Sequence, residues 1–105
     1  MDSEKIKVYN EVCSIMVESI FVSRQRQKQS TLEKIGKRLS NAGYQLFIVA
    51  PDDVVQAYLK WRAMASANEN QQETMDSFSD LVLEMRKDLH PSTNLTIETA
   101  NDLLF

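Results

Sequence analysis

Only two glycines and two prolines punctuate the 105 residues, and that scarcity constrains the fold more than any other feature of the chain. An all-β protein needs Gly, Asn or Pro turns about every ten residues, so helices with short joints are the architecture such a chain can build. The apolar pattern agrees. Ile6, Tyr9, Cys13, Met16 and Ile20 recur at steps of three and four, with Val12, Val17 and Phe21 beside them, which predicts a first helix capped by Ser3 with Glu4 in its opening turn. On nearly the opposite side fall Val8, Ile15 and Val22, leaving Lys7, Glu11, Ser14 and Glu18 as a narrow polar strip. A helix so broadly apolar is central in its fold or covered by a second copy. Val8, Ile15 and Val22, with Ile20 and Phe21, are therefore the expected subunit interface.

The stretch 24–31 is polar, either a joint or solvated helix. Leu32, Ile35, Leu39, Ala42, Leu46 and Val49 then predict a second helix through Gly43. Residues 44–49 are rich in β-branched and aromatic side chains, so an extended segment after a Gly43 stop is the alternative, with helix preferred. Pro51 ends that helix and opens a third as its first residue, with Asp52 and Asp53 in the first turn. Its stripe is read as Val54, Val55, Tyr58, Leu59, Trp61 and Ala65, running to about Ala67. A polar linker to Glu73 leads to a fourth helix carrying Met75, Phe78, Val82, Met85 and Leu89, with Arg86, Lys87 and His90 at its end before Pro91. Thr96 caps a short fifth helix. The expectation is an all-α chain of about five helices forming a single domain over 1–105, because two cores would each be small for this length.

Chemistry-bearing residues are few. Cys13 excludes an internal disulfide, and with His90 as the only histidine no Cys/His zinc set or Cys-x-x-Cys pair can be assembled, so a reducing cytoplasm is the expected compartment. Cys13 reads as a small buried hydrophobe, and His90 as a cation at a helix end. No catalytic residues, cofactor or metal ligands are expected. Asp76, Asp80, Glu84 and Asp88 step by four along the fourth helix and read as a solvated acidic face. The two glycines stand apart and form no phosphate loop. The apolar run from Ile15 to Val22 is broken by Glu18 and is shorter than the ~20 residues of a membrane span.

Charge is distributed unevenly. Arg24, Arg26, Lys28, Lys34, Lys37 and Arg38 face Glu33 alone within 24–38, a balance of +5 in a chain of −3, so the remaining residues carry −8. This patch is read as meeting an acidic partner, foremost the fourth helix of the chain or of another subunit. Phosphate or nucleic-acid binding is the alternative, disfavoured by the acidic whole and the lack of stacking aromatics in the segment. Arg62 falls between Tyr58 and Val55 in the third helix's stripe, and a buried guanidinium there needs a carboxylate, for which Asp80 and Asp88 are the candidates.

The stretches 51–62 (PDDVVQAYLKWR), 81–89 (LVLEMRKDL) and 95–105 resemble a family of small uncharacterised helical proteins of bacteria and their prophages. The likeness spans most of 8–105 and is most specific at Met85-Arg86-Lys87-Asp88-Leu89 and at Pro51-Asp52-Asp53. Many of those relatives carry a membrane helix or long helical segment ahead of this region, and often glycine where His90 stands. The resemblance implies a helical fold and marks Arg62, Arg86 and Asp88 for testing. A homo-oligomer, or a complex with another helical protein, is the expected partnership.

Overall fold

The computed structural model describes the backbone of residues 2–25, 29–67 and 71–105, and side chains over 3–19, 33–65 and 72–105. Within these, the chain is all-α: α1 spans Asp2–Gln25, α2 Gln29–Val49, α3 Asp52–Ala67, α4 Gln71–Leu89 and α5 Ile97–Leu104. No strand occurs among the described residues. The contacts group the chain into two compact units, 1–50 and 51–105.

The first unit is a hairpin of α1 against α2. The first helix is already under way at Asp2, so Ser3 sits inside it rather than at its cap. Val8, Tyr9, Val12, Ile15 and Met16 are buried. At 100° per residue these five form one stripe about 120° wide with Val12 near its middle. The buried face thus lies between the two apolar sides read from the sequence, and Ile6 and Val17, on the far side, are exposed. The second helix runs unbroken through Gly43 to Val49, so 44–49 are helical. Ala42 and Leu46 are buried and Ile35, Leu39 and Val49 half-buried, as the three-four pattern predicts.

In the second unit α4 is the common element, packing against both α3 and α5. Pro51 precedes the helical residues, and its carbonyl accepts from the Val54 and Val55 amides at 3.1 and 3.2 Å. It therefore sits at the N-cap position, one step before the expected first-turn placement. The third helix buries Val54, Ala57, Tyr58 and Trp61, whereas Leu59 and Ala65 are exposed, so its stripe is narrower than read. Residues 71–73, expected in the linker, are already helical. Along α4, no side chain from Thr74 to Met85 is exposed, because neighbouring helices cover two of its sides. It ends in a turn in which the Thr93 amide donates to the His90 carbonyl at 3.0 Å across Pro91 and Ser92. Thr96 caps α5 as expected, its hydroxyl accepting from the Thr99 amide, with Glu98 in the first turn.

Candidate interaction surfaces

Val8 and Ile15 are 5% and 0% exposed, so neither is available as an interface; they belong to the core. The helical projection separated them from Tyr9 and Met16, but Val12 bridges the two sets, and packing selected the stripe between. The side chains of Ile20, Phe21 and Val22 lie outside the described residues, as do those of Arg24, Arg26 and Lys28.

Lys34, Lys37 and Arg38 are exposed on α2. Arg38 flanks the buried stripe and reaches across the hairpin to Glu18 and, at 3.4 Å, to Glu11. These two glutamates stand a heptad apart on one side of α1, which is why a single guanidinium can meet both. The hydrogen bond to Glu18 contributes most to raising the Arg38 pKa above its ordinary value, and that to Glu11 adds to it; desolvation opposes both. Arg38 is thus paired within its own unit, by α1.

Arg62 is exposed and hydrogen-bonds Tyr58, one turn earlier. Burial lifts the Tyr58 phenol above its usual range, and the Arg62 charge and hydrogen bond draw it back. Because Leu59 lies outside the stripe, Arg62 sits at its edge and reaches water. No ion pair from Arg62 to Asp80 or Asp88 occurs among those of the described residues.

The row Asp76, Asp80, Glu84 and Asp88 is half-buried rather than solvated. Asp76 accepts from the Asn101 amide of α5 at 3.0 Å, and the Asn101 carbonyl accepts from the fully buried Ser79 hydroxyl. Gln72 donates a further 3.0 Å bond to Asp76. Glu84 pairs with Lys87 at 3.2 Å. The two Asn101 bonds, with an edge-on contact of Phe105 on Phe78 at 5.8 Å, dock α5 onto α4 although α5 buries none of its own residues. Among the described residues, no group of three or more His, Cys, Asp or Glu side chains is placed to hold a metal ion. Cys13 is half-buried, and desolvation pushes its thiol up to about 11, so it is protonated at neutral pH.

Two surfaces remain that the sequence reading passed over. On α2, Tyr44, Phe47 and Ile48 are 60%, 74% and 69% exposed. Tyr44 and Ile48 lie almost opposite Leu46, so the stripe that docks α2 on α1 cannot cover them. On the second unit, a groove of about 200 Å³ runs between α4 and α5, lined by Val82, Leu83, Leu95 and Ala100 together with Leu103 and Arg86. Thr93 holds Arg86 through a 3.0 Å hydrogen bond from Nε. The aromatic enrichment of 44–49, the ground for the extended alternative, is set by helical spacing on an outward face.

No described helix is long and apolar enough to cross a membrane. Comparison with family models, with curated proteins and with solved structures gives no match to this chain.

Proposed function

We propose that this chain is a helical interaction protein that self-associates, works in the cytoplasm and is not an enzyme. The observation that carries this reading is the cluster Tyr44, Phe47 and Ile48, three large apolar side chains left to water on one outward face of a regular helix. Scattered single exposures need no explanation, but adjacent ones at spacings of three and four are the form an amphipathic helix presents to a partner. The surface differs from the Val8 and Ile15 line, which the core consumes. The same relatives of bacteria and prophages that share Met85–Leu89 are proposed as its family.

Two features support the non-catalytic part of the reading. The α4–α5 groove has one ionisable side chain in its lining, Arg86, so no pair of acid and base groups converges there. Cys13, with its thiol pushed up to about 11, is a poor nucleophile. Phosphate binding by 24–38 loses ground because Arg38 is engaged by two glutamates.

Light scattering at micromolar concentration tests the proposal. The chain is expected at a mass above that of a single copy, and Phe47→Glu is expected to return it to one copy with its helical circular dichroism unchanged. A wild-type chain that stays monomeric at these concentrations refutes self-association.

A further inference from the structure

Resting on that reading, we propose that the α4–α5 groove of one copy receives the Tyr44–Phe47–Ile48 face of α2 from a second copy, so that the chains associate head to tail. The two surfaces match in kind. The groove's lining is mostly apolar, and Leu103 within it is 86% exposed, so an incoming side chain covers apolar surface otherwise left in water. Tyr44, Phe47 and Ile48 stand at i, i+3 and i+4, the spacing with which an amphipathic helix seats its anchors in such a groove.

Charge points to the same occupant. The last turn of α2 contains no basic side chain, so the negative end of its dipole is uncompensated within the helix. In the groove's lining stands Arg86. Its Nε is committed to Thr93, which restrains the plane of the guanidinium and leaves its other N–H donors to a partner. A cation held in this way meets the carbonyl end of an incoming α2 favourably, whereas the basic stretch at the other end of that helix would be repelled. This sets the direction of docking: the end carrying Phe47 and Ile48 enters, and Lys34 and Lys37 stay outside.

Because plug and groove are different surfaces of one chain, the contact is heterologous, and every copy offers one of each. That property separates it from a symmetric pairing of α2 with α2. Phe47→Glu removes the plug and keeps the groove; Thr99→Trp obstructs the groove and keeps the plug. Thr99 is an exposed groove residue whose hydroxyl takes no part in the Thr96 cap, so the substitution leaves α5 in place. Leu103→Glu repeats the groove arm at a side chain almost wholly in water.

Sedimentation or light scattering on the full chain is the measurement. Each variant alone is expected to lose association by about 100-fold, the scale of removing a buried apolar anchor. An equimolar mixture of Phe47→Glu with Thr99→Trp, or with Leu103→Glu, is expected to form a one-to-one complex at twice the mass of a single chain and to grow no further. If the groove variants associate as the wild type does, or if the mixtures stay monomeric while the wild type associates, head-to-tail docking is overturned and self-association stands. A monomeric wild type overturns both.

Discussion

Cys13 illustrates how burial decides what a residue can do. Half-buried beside the packed stripe of α1, its sulfur is partly shielded from water, and desolvation moves the pKa from 9.0 to about 11. At pH 8 this cuts the thiolate fraction about 100-fold, so alkylation by iodoacetamide is expected to be slower than that of an unfolded chain by about that factor. Labelling at the unfolded rate would mean that the thiol is not desolvated. The same shift has a consequence for stability. The folded state holds the proton more tightly than the unfolded state, so the contribution is complete below pH 9.0 and falls as pH rises towards about 11, by at most about 3 kcal/mol. Urea unfolding across this window should therefore show a decline that Cys13→Ala reduces. Arg38 works in the opposite setting, exposed and multiply paired, where its contribution depends on salt and not on any accessible pH.

At the level of helices, Gly36 supplies a test uncomplicated by packing. It lies inside α2, is exposed, and an added methyl group would meet nothing within 4 Å. Gly36→Ala is expected to raise stability by roughly 0.5–1 kcal/mol, because alanine loses less backbone freedom on entering a helix. Denaturant unfolding that shows no gain would mean that this turn of α2 is not regular helix in solution. The helices themselves were legible because three-four spacing, the position of Pro51 and Pro91, and the Thr96 cap are local signals. Which arc of each helix is buried was less legible. That choice depends on neighbours, so Val12 could join two apparently separate faces of α1, and Leu59 could drop out of α3. Arg62 followed from that second change, since a stripe without Leu59 puts it at an edge. The half-burial of Asp76 was not readable at all, because it needs Asn101, 25 residues away, to arrive on α5.

For the molecule as a whole, the two units pose different demands on the same chain. Each is short, with little interior relative to its surface, and each still leaves large apolar side chains in water: Tyr44, Phe47 and Ile48 in one, Leu103 and Leu104 in the other. Covering that surface by association would transfer part of the stability from the fold to the assembly. Mass action then makes thermal unfolding depend on concentration, since only the folded chain presents both plug and groove. Each tenfold rise in protein adds about 1.4 kcal/mol to an assembled pair, which for a chain of this size raises Tm by a few degrees. Scanning calorimetry over a hundredfold range of concentration is expected to show that climb for the wild type. Phe47→Glu should flatten it, and its Tm should equal that of the dilute wild type, because an exposed side chain contributes little to the isolated fold. A wild-type Tm that does not move with concentration would assign all the stability to the single chain and leave the exposed faces of α2 and α5 without a role in holding it together.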